Sequence, residues 1–169
     1  AYTEWSPFYA NEGEMYYTSL KSDKVVLRKG DHFKRMYKST KSGSDWSEGQ
    51  LVSDVINKKG THVGNVTMSD DRNYMYYTLT TSKGDVLATS KIFVSKKEGG
   101  KWGEAQEVSG INDDAYMSKQ PAFGKVNGND ALFFVSNMPG GQGGWDIYVS
   151  ILESATAAEP AISLGTDVN

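Results

Sequence analysis

The sequence predicts an all-β chain made of three similar units, each of four antiparallel strands, and three observations predict it. The first is composition: 18 Gly and 10 Tyr among 169 residues, with many Val, Thr and Ser, suit short strands and tight turns. The second is the lack of helical spacing, because no segment carries apolar residues at i, i+3, i+4 and i+7 over three turns. The third is repetition. Met15-Tyr16-Tyr17-Thr18 returns as Met75-Tyr76-Tyr77-Thr78, and Leu132-Phe133-Phe134-Val135 is a looser copy. Tyr37, Phe93 and Tyr148, each inside a second strand-like run, lie 56 and 55 residues apart. Trp46-Ser47-Glu48-Gly49-Gln50-Leu51-Val52-Ser53 leads to Ile56-Asn57, and Trp102-Gly103-Glu104-Ala105-Gln106-Glu107-Val108-Ser109 leads to Ile111-Asn112. The third unit has lost its Trp and ends Leu164-Gly165-Thr166-Asp167-Val168-Asn169. These markers divide the chain into 1–57, 58–112 and 113–169.

Within a unit, the first strand covers Ser6–Ala10, Val66–Ser69 or Pro121–Gly124. The turns Asn11-Glu12-Gly13, Asp70-Asp71-Arg72-Asn73 and Asn127-Gly128-Asn129 follow, and they supply the positive φ that a tight hairpin demands. The second strand is the Tyr-Tyr or Phe-Phe run. The third covers Arg35–Ser39, Lys91–Ser95 or Asp146–Ser150, and the fourth is the Leu-Val or Glu-Val run before the closing Asn. Leu152–Ala158 holds helix-friendly residues but lies where the other units place a loop. Four such strands make the shape of a propeller blade. Aromatic side chains pack between blades, each buried ring contributing roughly 1.5–3 kcal/mol. A lone blade cannot cover both of its faces and needs a neighbour on each side. Closed propellers have about four to eight blades, and three leave raw edges that recruit other strands. The remaining blades are therefore expected in the same chain or in a second copy.

Charge and composition exclude several partners. With 18 Lys+Arg against 21 Asp+Glu the net charge is -3, which speaks against nucleic acid. Hydrophobic residues at 38% and aromatics at 12% support a packed core. The absence of Cys removes thiol catalysis, thiolate metal sites and disulfides. The longest apolar stretch, around Ala131–Val135, is far below the roughly 20 residues of a membrane helix, so no membrane insertion is expected. The chain opens at Ala1 without a basic and then apolar leader, so any signal peptide is expected to have been removed or never included.

Candidate site residues are few. His32 lies in the charged stretch Lys21–Lys34 and reads as a solvated loop residue, whereas His62 lies between units, near the central funnel. No nucleophile and orienting acid accompany either, so no catalytic residue is expected. Asp70-Asp71 and Asp113-Asp114 lack the Asp-x-Asp-x-Asp spacing of a calcium loop and read as turn formers, so neither a metal nor a cofactor is expected. Gly140-Gly141-Gln142-Gly143-Gly144 lacks a following Lys-Ser/Thr and joins two strands, which makes it a hairpin connection. Trp46 and Trp102, at equivalent positions, read as packing residues, and Trp5 and Trp145 as surface contacts. Ser6, Asn65 and Gln120 precede the inner strands, with Trp5, Gly64 and Lys119 just before them, and should rim one mouth of the channel. The binding candidates are therefore Trp5, Ser6, His62, Asn65, Lys119, Gln120 and Trp145.

Two resemblances follow from the residues. Gln120-Pro121-Ala122-Phe123, the Asn127-Gly128 turn, Leu132-Phe133-Phe134-Val135-Ser136-Asn137 and Gly143-Gly144-Trp145-Asp146-Ile147-Tyr148-Val149-Ser150 resemble the WD-like repeat of TolB-type propellers, in the variant found in Bacteroidetes envelope proteins. The resemblance covers all three units and is sharp in the third. It implies a six-bladed ring of which these blades are half. It also implies a place in the periplasm or cell envelope, associated with the outer membrane, with links to OmpA-like peptidoglycan-binding proteins or type IX secretion. The function expected from it is a non-catalytic module, not an enzyme, that docks protein partners in the envelope. The alternative rests on Ser39-Thr40-Lys41-Ser42-Gly43-Ser44-Asp45-Trp46 and Ser95-Lys96-Lys97-Glu98-Gly99-Gly100-Lys101-Trp102, which are similar to the Asp-box turn of sialidases. Lys41 and Lys97 stand where the box has Asp, and only Arg28, Arg35 and Arg72 are present where sialidases use an arginine clamp. That resemblance implies a glycan-binding or sialidase-like glycoside hydrolase propeller.

Overall fold

The computed structural model describes residues 3–21, 33–83 and 86–169, and within them the chain forms three antiparallel sheets and no helix. In the first, β1 (Glu4–Asn11), β2 (Glu14–Ser19), β3 (Arg35–Ser42) and β5 (Gln50–Leu51) lie side by side, and β4 (Asp45–Trp46) folds back on the far end of β3. The second repeats the pattern with β6 (Thr61–Met68), β7 (Tyr74–Lys83), β8 (Val86–Glu98) and β10 (Gln106–Glu107), plus β9 (Lys101–Trp102) on β8. The third has β11 (Ser118–Val126), β12 (Asn129–Ser136), β13 (Asp146–Ser154) and β15 (Ile162–Ser163), plus β14 (Ala157–Ala158) on β13. Each sheet is a propeller blade of four strands with a two-residue ribbon added. Leu152–Ala158 is thus strand and ribbon, in the place of β4 and β9.

The repeat markers turn out to be structural devices. Tyr17 stands opposite Tyr37, Tyr77 opposite Phe93 and Phe134 opposite Tyr148, so the three aromatic pairs occupy one register position in successive blades. Two of the pairs stack, with ring centroids 5.9 Å and 6.1 Å apart. The closing asparagine of each unit clamps the third strand. Asn57 accepts from the Met36 N–H (2.7 Å) and donates to its carbonyl (2.9 Å). Asn112 does the same at Ile92 (2.9 and 2.8 Å) and Asn169 at Ile147 (2.6 and 3.1 Å). A primary amide supplies both a donor and an acceptor at this spacing, which a carboxylate or hydroxyl of similar reach does not. In the third hairpin, Asn127 (φ 51°) and Gly128 (φ 84°) provide the two left-handed residues of a type I′ turn.

The core lies in two seams between blades. Tyr16, Met36 and Ile56 pack against Val63, Met68, Met75 and Tyr77 in the first. Tyr76, Ile92, Val108 and Ile111 pack against Leu132, Phe134 and Tyr148 in the second. Alternation along a strand sends Tyr76 and Tyr77 to opposite faces, which is why the middle blade needs two successive large residues there. End blades behave differently. The position that carries Met36 and Ile92, both fully buried, is 37% exposed as Ile147 in the third blade. Likewise Trp102 packs into the first seam, while its counterpart Trp46 is 38% exposed and meets Tyr9 edge-on at 6.1 Å. The packing role expected of these tryptophans is seen at Trp102, which sits at a seam between two blades.

Candidate functional site

The inner strands begin earlier than their sequence pattern suggests, at Glu4, Thr61 and Ser118, and each is interrupted by a bulge. The register shifts fall between Trp5 and Phe8, Gly64 and Thr67, and Lys119 and Ala122. Within each bulge one residue is left-handed: Ser6 (φ 48°), Asn65 (φ 54°) and Gln120 (φ 57°). Asn tolerates this region well, Ser and Gln less so, and strain of this kind gathers at binding sites. A bulge also re-aims the side chains beside it, and here all three bulges border one cavity of about 370 Å³.

Blade one lines it with Trp5, Ser6, Thr18 and Lys34. Blade two adds His62, Gly64 and Asn65, then the hydroxyls of Thr78, Thr80 and Ser90. Blade three adds Lys119, Gln120 and Trp145. All seven sequence candidates thus border the same cavity. Thr18, Lys34, Thr78, Thr80 and Ser90 were missed, although Thr18 and Thr78 are the last letters of the Met-Tyr-Tyr-Thr repeat. The two tryptophans flank opposite sides with a lysine over each ring: Lys34 is 4.9 Å from the Trp5 centroid and Lys119 is 3.4 Å from that of Trp145.

The glycine-rich loop explains how Trp145 is presented. Asp146, buried, accepts from the Gly143 N–H (3.0 Å to Oδ2), and the Tyr148 hydroxyl donates to the Met138 carbonyl (2.9 Å). A side chain at Gly141 would press into the Asp146 carboxylate and meet the Tyr148 hydroxyl at 2.7 Å. The loop wraps tightly round Asp146 and leaves its neighbour Trp145 outside, 45% exposed.

Polar groups across the cavity are mostly spoken for. The Asn65 amide donates to Ser6 Oγ (2.7 Å), the Gln120 N–H donates to Thr78 Oγ1 (2.9 Å), and Thr80 and Ser90 share a bond of 2.6 Å. Thr18 is the exception, with a buried hydroxyl that has no partner among the described residues. His62 Nδ1 accepts from the Lys34 N–H (3.2 Å), which places the ring proton on Nε2. Burial, then the nearby charges of Lys34 and Arg35, hold the His62 pKa below its ordinary value. Burial alone lowers that of Lys119.

Other sequence candidates lie apart. Asp71 organises its own turn, accepting from Ser69 Oγ (2.6 Å) and the Asn73 N–H (3.0 Å). Asp113 accepts from the Ala115 N–H (2.8 Å), and Asp114 pairs with Lys91 (2.7 Å). Among the described residues no three His, Asp or Glu stand together as a metal site. His32, and the Lys21–Lys34 stretch from 22 to 32, lie outside the described residues.

No family model matches this sequence, and no curated protein matches it. Solved structures do. One is a thermostable family-43 glycoside hydrolase (TM-score 0.58, 17% identity, covering 96% of this chain and 54% of that one). A second is an α-L-arabinofuranosidase from Lactobacillus brevis (TM-score 0.54, 14% identity, 97% and 51%). A third is the Bacteroides ovatus protein described as Xyloglucan PUL GH43B (TM-score 0.53, 14% identity, 98% and 29%). The chain spans about half the length of the first two and under a third of the last. At these identities the likeness establishes the fold, a set of propeller blades. It also corrects two expectations, that the chain is a non-catalytic protein-docking module and that it is not an enzyme, because the solved structures it matches are glycoside hydrolases. Those expectations leaned on the absence of a contiguous catalytic motif. In a propeller the reacting groups are dispersed over several blades around the axis, and three blades need not carry them all.

Proposed function

We propose that these blades form the sugar-binding part of a glycoside-hydrolase-like propeller. The observation that carries the reading is the cavity at the start of the inner strands, walled by Trp5 and Trp145 with hydroxyls and amides between them. A pyranose or furanose ring has an apolar C–H face and a rim of hydroxyls, so it suits aromatic walls beside convergent polar groups. The likeness to glycoside hydrolases supports the same reading.

Turnover needs a pair of carboxylic acids flanking the scissile bond. No Asp or Glu is among the described residues lining the cavity, so in this reading the pair comes from further blades that complete the ring. An oligosaccharide array, with α-L-arabinofuranosides and β-xylosides included, tests the proposal. Trp145→Ala and Trp5→Ala should each weaken a bound glycan about tenfold. An array on which nothing binds, or binding untouched by both variants, overturns it. Hydrolysis of the matching aryl glycoside is expected only when the remaining blades are present.

A further inference from the structure

The sign of charge inside the cavity narrows the ligand. Several strand lysines have carboxylate partners: Lys38 with Glu14 (3.0 Å), Lys91 with Glu107 and Asp114 (2.8 and 2.7 Å), Lys96 with Glu98 (2.8 Å) and Lys125 with Asp70 (3.3 Å), while Lys97, away from the cavity, lies 5.5 Å from the Trp102 centroid. The two lysines of the cavity, Lys34 and Lys119, have no ion pair with any described residue and rest on tryptophan faces instead. They come from opposite sides, one from blade one and one from blade three, and no carboxylate is among the described lining residues between them. On a chain of net charge -3, this is a concentrated positive spot. Lys119 is half-buried, and partial removal of an ammonium group from water without a counter-ion costs free energy that a bound anion returns; Lys34 is exposed and contributes its charge at the rim. His62, the remaining titratable group of the lining, has its pKa held below the ordinary value by burial and then by the charges of Lys34 and Arg35, and its Nδ1 accepts from the Lys34 N–H. Thr18 adds a buried hydroxyl that has no partner among the described residues.

We propose that the cavity takes an acidic sugar, one bearing a carboxylate or a sulfate, with the ring against Trp5 or Trp145 and the anion between Lys34 and Lys119. This rests on the glycan reading above and deepens it. It differs from a neutral-sugar site in requiring charge, and from a simple anion site in requiring the ring.

The test compares trigalacturonate with its methyl ester, which keeps the ring and removes the charge, by calorimetric titration of the whole chain. A sulfated disaccharide and inorganic sulfate form two further arms. Trigalacturonate or the sulfated disaccharide should bind at least tenfold tighter than the methyl ester, and which of the two binds identifies the anion. Lys119→Gln and Lys34→Gln should each erase most of that ratio, whereas Lys119→Arg keeps it. Raising salt from 50 to 500 mM should weaken the acidic sugar and leave the ester unmoved. Equal affinity for acid and ester, or a ratio indifferent to both lysine variants, overturns the acidic-ligand inference and leaves sugar binding standing. Sulfate alone binding as tightly as the sulfated sugar also overturns it. Failure of every sugar to bind sinks both readings together.

Discussion

The seam between the first and second blades and the seam between the second and third use equivalent repeat positions, yet they close differently. In the second seam the main chains join directly. Ser109 donates to the Thr156 carbonyl (2.9 Å) and its own carbonyl accepts from the Ala158 N–H (3.0 Å). Farther in, Thr78 and Thr67 hydroxyls accept from the N–H groups of Gln120 (2.9 Å) and Phe123 (3.0 Å). Among the described residues the first seam has one comparable main-chain bond, Val63 N–H to the Lys34 carbonyl (2.9 Å). Side chains supply the rest: His62 to Lys34, Asn65 to Ser6, and the Arg35 guanidinium to the Thr61 carbonyl (2.8 Å). The threonine that is spent in one seam, Thr78, has an unspent counterpart in the other, Thr18. Both threonines border the cavity, but only Thr78 also closes a joint.

The largest expected effect breaks the main-chain joint. Gly110 is left-handed (φ 88°), and a side chain there would run into the Ala158 carbonyl. Gly110→Ala should cost about 3 kcal/mol by urea unfolding; a cost near zero would mean that this joint is not the firmer one. Next comes the clamp beside it. Asn112 makes three bonds, two to Ile92 and one to the Val108 carbonyl (2.8 Å), and Asn112→Ala should cost about 2 kcal/mol.

A finer contrast comes from the paired threonines. Thr78→Val removes the acceptor of a part-buried N–H and should cost about 1 kcal/mol, whereas Thr18→Val removes a hydroxyl without a partner among the described residues and should leave stability unchanged or raise it slightly. Equal losses at both would show that the seams are not different in this respect. The smallest effect is titration at His62. Its folded pKa lies below the unfolded value of about 6.5, so the contribution of the neutral ring is complete above that pH. It is lost as pH falls through the folded value, where the proton competes with the Lys34 N–H for Nδ1. Wild type minus His62→Gln, followed by melting temperature from pH 7.5 to 5, should therefore decline toward acid.

Much of the fold is legible in the residues themselves. Tyr37, Phe93 and Tyr148 keep their spacing because each must meet an aromatic across the ladder, and Asn57, Asn112 and Asn169 recur because each clamps a main-chain N–H and carbonyl. The rim is legible in the same way, since Ser6, Asn65 and Gln120 recur at one place in each unit, although they lie at bulges within the inner strands and not before them. Its polar lining is not. Thr80 and Ser90 face each other only because β7 and β8 run on past the length of their counterparts, and the left-handed state of Ser6 and Gln120, each followed by proline, leaves no compositional mark. Function was the least legible part. The chemistry of a ring is divided among its segments, and no segment announces the whole.

The asparagine clamp has a consequence for how such chains change size. Each module latches its own tail to its own third strand, using no atom of the next module, so the fastening is complete before a neighbour arrives. Duplicating or deleting a module therefore leaves every remaining latch intact and alters only how many staves stand in the cask.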